Sequence, residues 1–339
     1  MVTDLFAVVS GTSPHVVIDS VPPAVRRAPV PAARPRPDGP DVIIDSPVFR
    51  SRRPGTLFVP AFCALTPAEY SFRFEAVPGD VTRETWVGTV AIGRAAFGTV
   101  PDSSDALRSE IDVFVARMPL ESIRLRLRLR APDLKEVIGA PWIVTLSISG
   151  NDAVEASTGT ARAAAAIAVP ALSQLEEAGH LRHRICSPTS VAMVLQRWGR
   201  SVEVAELAAE MFHAAVDLYG VWPCAIQAGA RRGVPGYLLR FPDWASAAWC
   251  LAHGLPIVAS VRYAEGELTG AAIPRTSGHL LVLTGAEDDY VLVNDPAAPT
   301  RDEVPRRYRL DEITRVWLDR SGVGYVFCPP PDGAPSGPG

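Results

Sequence analysis

Residues 123–130, with the sequence IRLRLRLR, alternate strictly between an aliphatic side chain and an arginine. Successive side chains of a β-strand point to opposite faces, whereas a helix places apolar residues three or four positions apart. The segment is therefore predicted to be a strand with one face on a hydrophobic core. We expect the row Arg124, Arg126, Arg128 and Arg130 to be the solvated face of a sheet rather than a site for an acidic polymer.

The sequence around this strand has a similar character. Between residues 48 and 150, strand-length runs are separated by Pro, Gly, Asp or Ser, namely GTLFVPAF, AEYSFRFEAV, TWVGTVAIG, SEIDVFVARM, SIRLRLRLRA and PWIVTLSISG. Successive strands without interleaved helices are typical of an antiparallel sandwich. We predict an all-β, sandwich-like domain over residues 48–150.

The segments that flank this predicted domain differ from it in composition. Residues 1–47 contain a Pro/Arg-rich stretch between two short β-branched runs, 15–21 and 41–47, so we predict an extended segment with two short strands. Residues 151–170 are rich in Ala, Ser, Thr and Gly and lack alternation, which predicts a linker. The Pro/Gly-rich residues 330–339 are predicted to be a disordered tail.

The part of the chain after the linker begins with helical periodicity. In CSPTSVAMVLQRWG, apolar residues recur at i, i+3, i+4 and i+7, and SVEVAELAAEMF has the same pattern. Strand-like runs then follow: PIVASVRY, GHLLVLTGA, YVLVNDP and GVGYVFCP. Helices followed by an antiparallel sheet predict an α+β domain over residues 171–329. Two domains agree with the length of 339 residues, because single cores stop growing well below that size.

Composition narrows the possible functions. A net charge of −4 does not favour nucleic acid as a partner, and no run approaches the ~20 apolar residues that a membrane span needs. The N-terminus lacks the basic region of a secretory signal, so we expect a cytoplasmic protein, unless a misassigned start hides a leader. Five scattered cysteines without a CxxC pair predict no zinc site, and we expect no cofactor.

One cysteine, Cys186, lies directly before a predicted helix. Pro188 suits the first helical turn, and Ser187 is a suitable cap. The unpaired N–H groups of a helix N-terminus favour an anion, and the thiolate is the nucleophilic form of cysteine. For this residue alone a small buried hydrophobe is the better interpretation, so a nucleophile needs the further evidence of a nearby base.

Among the six histidines, His279 begins a strand that leads through an acidic stretch, Glu287-Asp288-Asp289, into YVLVNDP. If those three residues form the hairpin loop, Leu281 lies opposite Asp295, and His279 shares a face with that carboxylate. A loop longer by one residue would put the two on opposite faces. The residues therefore allow a base and its orienting group, or simply a polar strand end and a turn former.

The blocks ICSPTSVAMVL, LPIVASVRY, SGHLLVLTGA and YVLVNDPAAP, in this order, resemble the C39-like cysteine peptidases of the papain-like superfamily. The resemblance covers residues 168–329, and residues 56–150 resemble the β-rich region that precedes the peptidase domain in actinobacterial members. It implies a papain-like fold, a peptide or protein substrate and a thioester acyl-enzyme. It also implies that Cys186 is the nucleophile, His279 the base and Asp295 its orienting group.

The resemblance extends to further site residues. It implies that Gln174 is the oxyanion donor, but Gln174 lies twelve residues before Cys186, and His180 or the Cys186 backbone N–H is the alternative donor. The block DLYGVWPCAIQ resembles a segment of the relatives that points to Trp222 as a cleft residue, with departures at Val221 and Cys224. Trp222 is therefore predicted to bind substrate, and Ser187 and Gly278 complete the predicted substrate-binding residues.

Three functions remain open at this point. The first is a cysteine peptidase, and the second is an acyltransferase in which an amine takes the acyl group from the same cysteine. The third is a catalytically inactive binding module that uses the β-rich domain for recognition. A metal site on Cys186 and His279 would lack further ligands at suitable spacing. The sequence predicts neither the oligomeric state nor the role of residues 1–47.

Overall fold

The protein is described by a computed structural model that covers residues 1–11, 14–79, 85–150 and 164–331. Within these ranges the chain combines helices with two β-sheets, which confirms a mixed class. Most of the predicted linker and nearly all of the predicted tail lie outside the described residues. No helix in the described ranges combines the length and apolar character that crossing a membrane requires.

The first sheet contains ten strands. The elements of this part are β1 (Thr3–Val9), α1 (Val16–Asp19), β2 (Arg26–Pro31), β3 (Arg36–Asp38), β4 (Asp41–Asp45), β5 (Phe49–Ala64), β6 (Ser71–Pro78), β7 (Val87–Gly88), β8 (Leu107–Glu110), β9 (Val113–Arg130), α2 (Leu134–Gly139) and β10 (Trp142–Ser149). The main strand order is β2-β1-β10-β5-β9-β4-β3, with β6 and β8 also paired to β9 and β7 to β6.

This sheet folds over its own core. The ring of Phe62 on β5 lies 5.4 Å from the ring of Phe72 on β6, although these two strands are not hydrogen-bonded to each other. Both strands pair with β9, so the sheet bends enough there to bring buried aromatic side chains of β5 and β6 into contact. The described strands of this part form one sheet, and a sandwich-like domain stays a prediction.

Residues 1–47 are part of this sheet, unlike the separate extended segment that composition predicts. Strand β1 pairs antiparallel with β10, from Thr3 opposite Ser149 onwards, and β4 pairs with β9. The predicted strand at 15–21 is wrong, because α1 forms there. The N–H of Val17 donates to the carbonyl of Pro14 over 3.0 Å, and the Val17 side chain is fully buried. A short β-branched run fits either conformation, and burial decides between them.

The arginine row on β9 is not the simple solvated face that alternation predicts. Arg126 lies opposite Asp45 on β4 and opposite Glu75 on β6. Its Nε donates to Asp45 over 2.6 Å, its guanidinium carbon lies 4.0 Å above the ring of Trp86, and Arg128 Nε donates to Glu75 over 2.8 Å. Carboxylates on both neighbouring strands therefore turn the row into a half-buried ion-pair ladder.

The second sheet contains six antiparallel strands in the order β11-β16-β12-β13-β14-β15. Its elements are α3 (Cys186–Arg197), α4 (Val204–Met211), α5 (Trp222–Ala230), β11 (Gly236–Arg240), α6 (Trp244–Ala252), β12 (Ile257–Tyr263), β13 (Thr276–Glu287), β14 (Tyr290–Asn294), β15 (Pro305–Arg309), α7 (Leu310–Ile313) and β16 (Val323–Phe327). Short 3-10 turns occur at Gln174–Glu176 and Arg301–Glu303, and a π-helical turn, Thr314–Leu318, follows α7.

Helix α3 packs directly against the centre of the second sheet. Its apolar residues Val191, Val194 and Leu195 are fully buried, which agrees with the helical period in the sequence. Ser190 Oγ donates to the carbonyl of Leu280 on β13 over 3.1 Å. The helix ends before Gly199, whose φ of +71° is the left-handed conformation that stops helices. This docking brings the start of α3 beside β13.

The two sheets share a continuous hydrophobic core within the described residues. Polar contacts also cross between them: Tyr237 OH donates to the Ser20 carbonyl over 2.7 Å, and Arg240 Nη1 donates to the Gly150 carbonyl over 2.8 Å. The β-rich part therefore packs against the α+β part over buried side chains. The division into domains at residues 151–170 stays a prediction about folding units.

Candidate active site

Cys186 is the first residue of α3, and its side chain is half-buried. Burial raises the pKa of its thiol, but the hydrogen bond to His279, the charge of that imidazole and backbone hydrogen bonds from Leu280 and Ser187 outweigh burial, so the pKa is lowered. Burial raises the pKa of the other four cysteines, which are Cys63, Cys224, Cys250 and Cys328. Cys186 is thus the thiol whose surroundings favour the thiolate.

His279 lies near the start of β13 and is 2% exposed. Its Nε2 lies 2.8 Å from Oδ1 of Asp295, which leaves Nδ1 for the thiol of Cys186. Burial lowers the pKa of the imidazole, but the charge and hydrogen bond of Asp295, together with Cys186, raise it above its ordinary value. The imidazolium form is favoured beside the thiolate.

Asp295 follows β14 directly, and its side chain is fully buried. Oδ1 accepts from His279 and from the N–H of Ala297, the latter over 3.0 Å, and Oδ2 accepts from the hydroxyl of Tyr308 over 2.8 Å. Burial raises the pKa of the carboxyl, but the charge of His279 and these hydrogen bonds have the larger effect. The pKa of Asp295 is therefore lowered from its ordinary value. A buried carboxylate is stable here because both oxygens have donors.

The hairpin that joins His279 to Asp295 differs from the predicted one in two compensating ways. The turn has two residues rather than three, because Glu287 pairs with Tyr290. A one-residue bulge between Leu283 and Gly285 then shifts the ladder back, so that Val282 pairs with Asn294. This is the register that a three-residue loop without a bulge would produce, so the imidazole and the carboxylate face each other as predicted.

Gln174 lies in the 3-10 turn before α3 and is buried. Its N–H donates to the carbonyl of Pro296 over 2.8 Å, which places the turn beside Asp295. Its Nε2 donates to the Arg182 carbonyl over 2.8 Å, while Oε1 is buried without a hydrogen-bond partner among the described residues. The loop before α3 therefore folds back onto the Gln174 amide.

The three predicted substrate-binding residues have different surroundings. Ser187 is buried, with Oγ 3.3 Å from the hydroxyl of Tyr325, so its place among the substrate-binding residues stays a prediction. One residue further along a helix turns the side chain by about 100°, which directs Ser187 into the core instead of the cleft. Trp222 is half-buried at the start of α5, whereas Gly278 is exposed beside His279.

Two residues of this region were missed by sequence reasoning. Tyr308 lies on β15 within PRRYR, a segment without any motif, and contacts Asp295. Asp112 belongs to a run that was predicted to be one strand, but Ile111, with a φ of +61°, breaks that run. The Asp112 carboxylate accepts from the N–H of Trp222 over 2.6 Å. A carboxylate inside an apolar run was the only signal for Asp112.

Metal ligation has no candidate cluster in the described part of the chain, where no three His, Cys, Asp or Glu side chains are grouped to hold an ion. The candidate site itself places a thiol, an imidazole and a carboxylate in hydrogen-bonded sequence. Such an arrangement makes a nucleophile and delivers a proton to a leaving group.

Comparison with known proteins shows what this region is similar to. Residues 166–325 match the model of the Peptidase_C39 like family, which confirms the resemblance to C39-like peptidases over this part of the chain. A solved structure of a Bacillus anthracis protein, assigned as a C39-like peptidase, is also similar. Its identity is 19%, its TM-score is 0.39, and the match covers 49% of this chain and 97% of that one. No curated protein matches the chain.

Proposed function

We propose that this protein is a cysteine peptidase with a papain-like catalytic domain, in which Cys186 is the nucleophile, His279 the base and Asp295 the orienting group. The observation that carries the proposal is the buried series of hydrogen bonds from thiol to imidazole to carboxylate, with 2.8 Å between His279 Nε2 and Asp295 Oδ1. The match of residues 166–325 to a peptidase family supports a peptide or protein substrate.

The architecture around these residues supports the papain-like assignment. The nucleophile begins a helix that packs on an antiparallel sheet, and the base and the carboxylate are carried by two paired strands of that sheet. The partial positive charge at the start of α3 adds to the stabilisation of a thiolate. Along the chain, Cys186 begins α3, His279 lies on β13, and Asp295 comes directly after β14.

The reaction begins when His279 Nδ1 takes the proton of Cys186, and the thiolate attacks the carbonyl carbon of a peptide bond. The carbon–nitrogen bond then breaks, His279 protonates the leaving amine, and a thioester remains on Cys186. Water, deprotonated by His279, hydrolyses the thioester and releases the acid. Asp295 keeps the imidazole in the orientation and tautomer that both steps need.

The negative charge on the carbonyl oxygen needs donors during each addition step. The backbone N–H of Cys186 and Nε2 of Gln174 are the proposed pair. Nε2 carries two hydrogens, and the Arg182 carbonyl uses one of them, so one stays available. Gly278, exposed beside His279, is a suitable place for the backbone of an extended substrate, and Trp222 is the proposed apolar wall of the cleft.

The test is the pH profile of Cys186 alkylation by iodoacetamide, followed by peptide mass spectrometry of all five cysteines. The expected result is rapid labelling of Cys186 alone near pH 6, and its loss in His279→Ala. His183→Ala, which removes an exposed histidine from the loop before α3, is the matched control and should label as the wild type does. Labelling of Cys186 that is slow and indifferent to His279 would refute the thiolate–imidazolium pair.

A measurement of the products distinguishes a peptidase from the other two functions, an acyltransferase and a binding module. A mixed peptide library incubated with the protein should yield cleaved products with free carboxyl ends, and Cys186→Ser should yield none. Products joined to an added amine would instead identify an acyltransferase. A reactive Cys186 without any product from the library would favour a binding module on a peptidase fold.

A further inference from the structure

The carboxylate of Asp295 has a second partner that the proposed mechanism does not use. Tyr308 OH donates to Oδ2 over 2.8 Å, while His279 and the N–H of Ala297 both contact Oδ1. Tyr308 lies on β15, next to β14, and is 1% exposed. We propose that Tyr308 is a positioning residue of this catalytic site, which holds the Asp295 carboxylate in line with His279. The inference rests on the proposed function.

The direction of the hydroxyl hydrogen follows from its two neighbours. The N–H of Ala272 lies 3.3 Å from the Tyr308 oxygen and can only donate, whereas an ionised carboxylate can only accept. The hydroxyl therefore accepts from Ala272 and gives its hydrogen to Asp295. The carboxylate is thus held at both oxygens, by Tyr308 at Oδ2 and by His279 and the Ala297 N–H at Oδ1, which restrains its rotation.

Strand β15 also forms hydrogen bonds with the loop of residues 264–275, which connects β12 to β13. Arg306 Nη1 donates to the carbonyl of Gly270 over 2.9 Å, and the Ala272 contact reaches Tyr308 itself. The loop ends just before the strand that carries His279. Tyr308 thus contacts both this loop and the buried carboxylate.

Four other charged or titratable groups surround this carboxylate and have to be considered. His279 faces it from β13, Tyr263 from β12, Cys186 from α3 through the imidazole, and Arg306 from β15. Among them Tyr263 is also a largely buried phenol near Asp295, but its hydroxyl donates to the carbonyl of Ile273 over 3.3 Å. Tyr263 therefore provides a matched control.

Removing the hydroxyl of Tyr308 takes away one of the hydrogen bonds that lower the pKa of Asp295. That pKa should rise, and a neutral Asp295 no longer stabilises the imidazolium. The acid limb of Cys186 alkylation should then move to higher pH by about one unit in Tyr308→Phe, the size expected when one hydrogen bond to a charged group is lost. A merely structural role for Tyr308 would leave this limb in place.

The experiment compares the alkylation profiles of the wild type, Tyr308→Phe and Tyr263→Phe between pH 4 and 9, which covers the acid limb and the plateau above it. The inference expects an upward shift for Tyr308→Phe alone. Site-specific replacement of Tyr308 by difluorotyrosine, whose phenol is a stronger donor, should move the limb downward and does not depend on Tyr308→Phe being folded. Unchanged profiles for both position-308 variants, with labelling still dependent on His279, would overturn this inference alone.

A slow wild-type reaction that His279→Ala does not alter has a different meaning. It would refute the proposed function itself, before any question about Tyr308 arises. The two failures are thus separated by the wild-type profile, which has to show a reactive, His279-dependent thiol before the position-308 variants are compared.

Discussion

Five cysteines of this chain carry the same thiol, but their surroundings move their pKa values in opposite directions. Burial outweighs a backbone hydrogen bond from Gly236 and raises the pKa of Cys63 to about 12, whereas at Cys186 a neighbouring imidazole and backbone donors more than offset burial. Reactivity at the residue scale is therefore decided by what faces the sulfur, because the thiolate is stable only where donors or positive charge replace water.

The variant Gln174→Ala tests whether Gln174 acts in the oxyanion site and not in the activation of Cys186. Loss of one oxyanion donor typically costs ~100-fold or more in turnover, so cleavage of a peptide found in the library screen should fall by about that factor. Alkylation of Cys186 forms no oxyanion, so its rate should stay within about threefold of the wild type. Equal losses in both measurements would instead show that Gln174 supports the fold around Asp295, to which its turn is joined through Pro296.

The hairpin β13–β14 decides the geometry at the scale of elements. A strand shifted by one residue turns every side chain to the other face, so the turn length and the bulge together determine whether His279 meets Asp295. Gly285 lies at the bulge, and a Cβ there would come within 3.0 Å of the Ala164 carbonyl and 3.1 Å of Ala166 Cα. Residues 164–166 thus pack closely against the bulge, because Gly285 has no side chain there.

Gly285→Ala is expected to lower the free energy of unfolding by about 1–3 kcal/mol, because a backbone segment has to move away from the added methyl group. The measurement is urea unfolding followed by tryptophan fluorescence. Gly139→Ala, at an exposed helix end where an added Cβ meets nothing within 4 Å, is the control and should change stability by less than about 0.5 kcal/mol. A loss no larger than that of the control would mean that the segment adapts freely.

At the scale of the whole molecule, Asp112 is one of the residues through which the β-rich part contacts the α+β part. This carboxylate is 8% exposed, lies at the turn between β8 and β9, and accepts from the N–H of Trp222 at the start of α5. Burial raises its pKa to about 7, although the hydrogen bond from Trp222 lowers it. The contact between the two parts is thus sensitive to pH near neutrality.

The sign of this effect follows from proton binding. Between the ordinary pKa of 3.8 and about 7, the folded protein holds a proton that the unfolded chain has released, so Asp112 makes stability fall as pH rises through this window. Asp112→Asn keeps an oxygen acceptor for Trp222 without the charge. Its Tm should therefore exceed that of the wild type by roughly 3 °C or more at pH 8.5, and by clearly less at pH 5, where only part of this loss of stability has occurred.

Asp105→Asn is the control for that comparison, because Asp105 is exposed on the same part of the chain. Its Tm should follow the wild type at both pH values, as surface substitutions usually do. A lower Tm for Asp112→Asn at pH 8.5 would contradict the prediction, since it would mean that the ionised carboxylate stabilises the start of α5 more than burial penalises it.

Sequence alone was sufficient wherever the structure depends on neighbours along the chain. The two-residue period of residues 123–130 determined a strand with a buried leucine face, and the helical period after Cys186 determined α3. Both signals are local, because alternation and helical spacing reflect one core-facing side of one element. The order of the motifs was likewise enough to predict the family that residues 166–325 match.

Tertiary structure decided the features that depend on partners far away in sequence. Three features depend on which distant side chains come to lie beside a segment. They are the helix rather than a strand at residues 15–21, the ion pairs of Arg126, and the burial of Ser187 against Tyr325. Tyr308 illustrates the limit most directly. Nothing in its own segment indicates a role, and it meets Asp295 because β15 pairs with β14 and directs the phenol at a buried carboxylate that needs a donor.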